Sequence, residues 1–307
     1  MGNLTGYLAA EGFADELRRE LGSAVVEVHG RLVLASGAEK PAAWAANVWL
    51  DPVQIRVASI GDAAKKLRGI QRNWALYSYA QHRRAALIAE RLPKVSAKPL
   101  VFGAPAPTAP LGSWSLIASD MLIASPTCTR PFPNGEAQFV EDRSAPSRAY
   151  LKLWELFTLT GVRPQAGEVC LDLGASPGGW TWVLQRLGAR VISVDKAALD
   201  STLAGLAGIT YRRQSAFALT PQEIGPVDWL FSDVICYPKR LLALVHKWRE
   251  AGTVGAFVCT LKFQGATDFD AMQGFAAIPN SRLLHLSHNK HELTWIHPAT
   301  RFRANAR

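Results

Sequence analysis

The stretch Val169-Cys170-Leu171-Asp172-Leu173-Gly174-Ala175-Ser176-Pro177-Gly178-Gly179-Trp180 decides the fold. Its first five residues are apolar apart from one carboxylate and read as a buried strand. The glycine-rich remainder reads as a turn, and 180–187 as a helix. The alternation continues on both sides. A helix is expected near 147–160, strands over 191–194, 209–213, 229–233 and 256–261, and a helix over 239–250. Short apolar strands alternating with helices give an α/β fold with a doubly wound, mostly parallel sheet. The segments 283–287 and 293–296 are joined by a short polar turn, which can connect antiparallel strands but not parallel ones.

In such a sheet ligands bind beyond the carboxyl ends of the strands, and a glycine-rich first turn lets a ligand approach the backbone. Asp172, Gly174, Ser176, Pro177, Gly178, Gly179 and Trp180 are therefore read as a cofactor site. The turn lacks the Gly-Lys-Ser/Thr ending of a P-loop, and Ser176 stands where a dinucleotide fingerprint has its second Gly. Asp195 ends the next strand, where a carboxylate accepts hydrogen bonds from a ribose diol. A nucleoside without a pyrophosphate is the expected ligand.

Outward from this region the chain changes character. Between residues 56 and 98 there are ten basic residues and two acidic ones. From 61 to 92 there is no proline, and Leu67, Ile70, Trp74 and Tyr77 recur at helical spacing, predicting one or two helices. Lys65, Arg68 and Arg72 fall three and four apart, and Arg83 follows three turns later, so one basic face is expected. Such a face beside Trp74, Tyr77 and Tyr79 suits phosphate attraction and base stacking. Trp74 shares the apolar spacing of Leu67 and Ile70, which favours a core role for its ring. A short helix is expected over 13–21 and hairpins over 25–35 and 114–125. Prolines make 93–111 a linker. The division expected is a smaller basic α/β region, 1–145, that docks RNA, followed by 146–307.

The segment Asp172-Leu173-Gly174-Ala175-Ser176-Pro177-Gly178-Gly179-Trp180-Thr181 resembles the S-adenosylmethionine motif of the FtsJ/RrmJ-type RNA ribose 2'-O-methyltransferases. Ala145-Pro146-Ser147-Arg148, Leu151-Lys152-Leu153, the stretch 191–195 and Glu292-Leu293-Thr294 are similar to its RlmM branch, which acts on 23S ribosomal RNA. The resemblance covers 145–297 well and the N-terminal part loosely, as a reduced THUMP-like region. It implies a class I Rossmann-type methyltransferase domain, S-adenosyl-L-methionine as cofactor and ribosomal RNA as partner. The catalytic set it implies is Lys152, Asp233, Lys262 and Glu292, with Lys262 accepting the proton, Lys152 lowering its neighbour's pKa, and the carboxylates orienting both. Asp233 and Ser215 would also meet the cofactor, Ser215 replacing the acid that usually faces the adenine amino group.

Such a set answers a chemical need. A ribose hydroxyl holds its proton far above neutral pH, so a group beside it must accept that proton as the methyl moves. Two other readings stay open. Cys236 and Cys259 distantly resemble the cysteine motifs of RNA cytosine-5 methyltransferases, although no Pro precedes Cys236 and Cys259 lies in an apolar strand. A non-catalytic RNA-binding protein with a vestigial methyltransferase fold would not need the four charged residues.

The 307 residues suggest about two domains. Lys and Arg number 34 against 25 Asp and Glu, giving +9, and 49% of the residues are hydrophobic, which excludes intrinsic disorder. No apolar run approaches ~20 residues, no signal peptide is visible, and Gly6 breaks a myristoylation pattern, so a cytoplasmic protein with no membrane partner is expected. The four cysteines form no C-x-x-C pair, and His285, His288 and His291 lack the i, i+4 helix spacing of a metal pair, so no metal is expected. The sequence does not fix the oligomeric state.

Overall fold

The computed structural model of the chain describes residues 3–298 and falls into two units, Met1–Phe139 and Val140–Arg307. The sequence reading of Met1 and Gly2, and of the residues beyond 298, lies outside the described part. No helix among the described residues is long and apolar enough to cross a membrane.

The first unit holds two sheets. Its elements are β1 (Leu4–Ala9), α1 (Ala14–Leu21), β2 (Val25–His29), β3 (Leu32–Ser36), β4 (Ala45–Leu50), β5 (Val53–Arg56), α2 (Ile60–Ile70), β6 (Trp74–Leu76), α3 (His82–Ala89), β7 (Gly112–Ala118), β8 (Met121–Ser125) and β9 (Thr127–Cys128). The five-stranded sheet runs β2-β3-β1-β4-β9, the four-stranded one β5-β8-β7-β6. Both expected hairpins, β2–β3 and β7–β8, are present and antiparallel. The 93–111 stretch carries no named element. Strands β1 and β4 were not legible because they lie inside the sheet and nearly all their residues are buried, leaving no alternation of polar and apolar side chains.

The single basic face is not what the chain forms. Helix α2 starts at Ser59, whose hydroxyl accepts from the Asp62 N–H, and ends where Gln71 turns extended at φ −160° and ψ 174°. Trp74 then lies in β6, which pairs in parallel with β7, and its indole N–H donates to the carbonyls of Leu67 and Gln71 at 3.0 Å each. Strand pairing and this indole cap override the helical spacing. Lys65 and Arg68 therefore project from α2, Arg72 from the connection, and Arg83 from α3, all four exposed. Ile70, expected to be apolar core, is 44% exposed.

The second unit contains α4 (Tyr150–Thr160), β10 (Val169–Leu173), α5 (Gly179–Arg186), β11 (Arg190–Asp195), β12 (Ile209–Arg213), α6 (Pro221–Ile224), β13 (Val227–Ser232), α7 (Pro238–Glu250), β14 (Val254–Lys262), α8 (Phe269–Ala276), β15 (Arg282–Leu284) and β16 (Glu292–His297). The sheet order is β12-β11-β10-β13-β14-β16-β15. Strands β10 to β14 are parallel, and β16 enters antiparallel between β14 and β15. This is the expected α/β, doubly wound, mostly parallel sheet with its antiparallel C-terminal strand. Trp229, Phe231, Phe257 and Trp295 fill its core. The switch to β11 on one side of β10 and β13 on the other opens a crevice at the carboxyl end of β10.

Trp74→Ala tests the packing of the first unit. The ring is 4% exposed and packs in one cluster with Leu67, Ile88 and Trp114. Its removal is expected to cost about 3–5 kcal/mol in denaturant unfolding of that unit. A loss below 1 kcal/mol would refute the core assignment.

Candidate active site

The turn after β10 is built by the sheet itself. Gly174 N–H donates to the Val194 carbonyl at 2.9 Å, and Asp233 N–H donates to the Leu173 carbonyl at 3.1 Å, so the ends of three strands are tied together. Gly174 has φ +77°, and a Cβ there would come within 2.6 Å of the Val234 Cα. Gly178 has φ +120°, and a Cβ would run into the Leu203 side chain; at Gly179 it would run into the Ser147 hydroxyl. Sequence reasoning assigned these glycines to the approach of a ligand. In the structure their missing side chains admit the crossing of the protein's own segments.

A cleft of about 320 Å³ opens above this turn, lined by Gly174, Ser176, Pro177, Gly179 and Trp180 and by Asp195, Asp233 and Lys262. A second hollow of about 210 Å³ shares Gly174, Asp195 and Ile235 with it and continues to Ser215, Phe217 and Arg240. The Arg240 guanidinium lies 3.8 Å from the centre of the Phe217 ring. Asp195 stands where the two hollows meet. Its Oδ2 accepts from the Ser176 N–H at 3.1 Å and its Oδ1 from the Ala197 N–H at 2.9 Å. Those two bonds fix the carboxylate and leave acceptor capacity on both oxygens. Ser215 Oγ accepts from the Phe217 N–H at 3.3 Å.

Two expected cofactor residues are not on the cleft wall. Gly178 backs onto Leu203, and Asp172 is wholly buried inside β10. Thr181 donates its hydroxyl to Asp172 Oδ2 at 2.7 Å, while Asp172 Oδ1 has no hydrogen-bond partner among the described residues. Burial pushes this carboxyl up to about 7, the charges of Asp233 and Asp195 adding to the rise and the Thr181 bond opposing it.

The four expected catalytic residues converge. Lys152, from α4, places Nζ 3.2 Å from Asp233 Oδ1 and 2.6 Å from Glu292 Oε1. Lys262, the last residue of β14, places Nζ 3.1 Å from Asp233 Oδ1 and donates to the Asp233 main-chain carbonyl at 2.6 Å. Register puts Lys262 opposite Glu292 across the β14–β16 pair. Burial alone would favour neutral Lys152, but the carboxylates of Asp233 and Glu292 outweigh it and raise its pKa. Lys152 is thus a fixed cation, its charge matched before any effect on a neighbour.

Helix α4 carries a second buried charge that sequence reasoning missed. Glu155, three residues after Lys152, accepts from the Ser287 N–H at 2.9 and 2.8 Å and from its hydroxyl at 2.9 Å, holding the loop that leads to Glu292. A glutamate inside a helix whose other residues are nearly all apolar was the available signal. Ser147 and Ile235 also line the cleft without having been singled out. His285, His288 and His291 hydrogen-bond separately to the Lys290 carbonyl, Glu155 and Thr267. Among the described residues no three His, Cys, Asp or Glu side chains gather into a possible metal site. Cys259 is fully buried and Cys236 nearly so, and burial raises both thiols, which opposes the thiolate that cytosine-5 chemistry needs.

Residues 145–268 match the model of the FtsJ-like methyltransferase family. This segment is similar to the FtsJ-like methyltransferases. Among the relatives of the chain is the ribosomal RNA large subunit methyltransferase M of Methylococcus capsulatus, 35% identical over 162 residues, 52% of this chain and 46% of that protein. The proteins of the same name from Alkalilimnicola ehrlichii and Halorhodospira halophila are each 38% identical, over 43% of this chain and 38% and 39% of theirs. The matched stretch spans less than half the length of each relative. The Lys152, Asp233 and Lys262 positions all lie inside the FtsJ-like segment, and Glu292 lies beyond it.

Asp172 supplies a test of the electrostatics. Its folded pKa lies above the unfolded carboxyl value, so the native state binds the extra proton between about pH 4 and 7, and its contribution to stability falls as pH rises through that window. Asp172→Asn is expected to flatten the pH dependence of the unfolding midpoint between pH 4 and 7. An unchanged slope would contradict the buried, half-partnered carboxyl.

Proposed function

We propose that this protein is a cytoplasmic S-adenosylmethionine-dependent methyltransferase acting on a ribose 2'-hydroxyl of RNA, with large-subunit ribosomal RNA as the substrate class. The observation that carries the reading is the pair of lysines sharing Asp233 at the mouth of a nucleoside-sized cleft. The names of the relatives support ribosomal RNA as the partner.

The donor set fits the cofactor. Asp195 sits between the two hollows, where a ribose diol would meet its remaining lone pairs, with the Phe217 wall on one side and Asp233 and Lys262 on the other. Ser215 offers a hydroxyl in place of a carboxylate, so the base would be held by its flat wall and by main-chain groups. When bound, S-adenosylmethionine supplies an electrophilic methyl group and one positive charge.

Lys262 has the geometry of a proton acceptor. In its neutral form an amine that donates to the Asp233 carbonyl and lies 3.1 Å from Asp233 Oδ1 keeps one lone pair for a third direction. A hydroxyl placed there gives up its proton to Nζ as its oxygen takes the methyl. Lys152 and Glu292 hold Asp233 in place and do not themselves need to reach the substrate.

The N-terminal unit is proposed to dock RNA through the separate cations Lys65, Arg68, Arg72 and Arg83, each able to neutralise about one phosphate.

Three experiments test the proposal. Nucleoside mass spectrometry of ribosomal RNA from cells with and without the protein should show one 2'-O-methylnucleoside lost. In vitro, Lys262→Ala should abolish transfer while S-adenosylmethionine still binds, and Cys259→Ser should stay active. A dead cysteine variant beside an active lysine variant would instead establish cytosine-5 chemistry. For docking, replacing Lys65, Arg68, Arg72 and Arg83 together with Ala should flatten the salt dependence of RNA affinity by several units and leave cofactor binding alone. An unaltered slope would assign RNA docking to another surface.

A further inference from the structure

The segment between β13 and α7 presents an apolar surface with no purpose inside the fold. Starting at Asp233, its residues alternate. Val234 packs against the Gly174 turn, Cys236 is buried and Pro238 opens α7 from a buried position. The residues between them face water: Ile235 is 77% exposed and Tyr237 66%, against 37% for Tyr79. The buried Cys236 and Pro238 and the half-buried Val234 tie the segment down, so the two exposed side chains are presented by a fixed strut. The next residues, Lys239 and Arg240, are exposed cations.

The position of this strut relative to the reacting atoms gives it a role. Ile235 lines the cleft that Lys262 and Asp233 line, and Tyr237 follows two residues further out, within about 7 Å of backbone at full extension. In a ribonucleotide the carbon bearing the 2'-hydroxyl is bonded to the carbon bearing the base. A hydroxyl delivered to Lys262 therefore brings its base to the cleft rim, where Ile235 lines the cleft and Tyr237 stands exposed two residues beyond it. Exposed aromatic surface beside cations is the composition that stacks an unpaired base and attracts its phosphate.

We propose that Ile235 and Tyr237 form the stacking platform for the base of the acceptor nucleotide, with Lys239 facing its phosphate backbone. The platform requires an unpaired nucleotide, because a base inside a duplex has no face left to offer. It rests on the RNA methyltransferase reading above and adds a positioning role for residues outside the four charged ones.

Two measurements on the full-length protein separate the platform from that reading. With protein-free large-subunit ribosomal RNA as substrate, Tyr237→Ala should raise KM for RNA by about 10-fold, with the S-adenosylmethionine Kd unchanged. Tyr237→Phe should restore wild-type KM, since stacking needs the ring and not the hydroxyl. Irradiating the wild type with the same RNA substituted with 4-thiouridine should give an adduct mapped by mass spectrometry to residues 235–239. An active Tyr237→Ala variant with unaltered KM overturns the platform and leaves the methyltransferase reading intact. So does a variant whose KM is unaltered while its sedimentation shows a lost self-association, which would make the strut a contact between copies. If the wild type transfers no methyl to RNA, the methyltransferase reading fails and the adduct decides alone: attachment within 235–239 supports base contact, and attachment only elsewhere overturns it.

Discussion

The second unit depends on the placement of one buried ammonium group, that of Lys152, between two carboxylates. A lysine on the inner face of α4 would be costly alone, and removing one partner of such a pair typically costs 3–5 kcal/mol because the other charge stays buried. Asp233 and Glu292 make the position tenable, and they come from different parts of the chain: one just past β13, the other opening β16. Three elements are therefore tied by the same contacts that shape the chemistry. Glu155 extends the arrangement, since its bonds to Ser287 brace the approach to β16 from the same helix. The charged residues of α4 bind the exit of β13, the start of β16 and the loop before it, while its apolar residues serve the core.

The glycine turn divides its labour differently from what its composition suggests. Gly174 and Gly179 make room for Val234 and Ser147, and so let the β13 exit and the α4 entrance close on the end of β10. The cleft is a consequence of that closure. Its polar functions come from the neighbours: Asp195 from β11, Asp233 from β13 and Lys262 from β14. Asp172, although part of the most recognisable stretch of the sequence, is spent on the inside, bonded to Thr181 beneath the turn.

Most of the second unit was legible because parallel strands buried on both faces are short apolar runs separated by helices, and each such run could be placed within a residue or two. The four charged residues were legible through family resemblance, and their convergence depends on sheet order, which spacing alone does not reveal. The first unit was harder for definable reasons. Strands β1 and β4 are buried all round and show no period. The apparent helix through Trp74 failed because pairing with β7 and the indole cap on α2 are contacts with residues distant in sequence or outside the periodic pattern. Helix α6 could have been found, since Thr220 and Glu223 form a reciprocal capping box with Pro221 at the first helical position. Ile235 and Tyr237 could not, because a sequence does not show that alternate residues of a loop are anchored.

Strand β16 enters the sheet between β14 and β15, against the direction of the parallel strands, and carries Glu292 to the position opposite Lys262. Along the chain it is the final described element, whereas the glycine turn and its cleft are formed by strands made earlier. A ribosome translating this protein thus releases the cleft-forming strands before the residue that completes the charge balance. The half-made chain is a receptacle in which Lys152 and Lys262 share Asp233 but Lys152 still lacks Glu292, its second carboxylate, which arrives with the strand that enters between β14 and β15. The order of synthesis thus places the last charged contact of the site after its cleft.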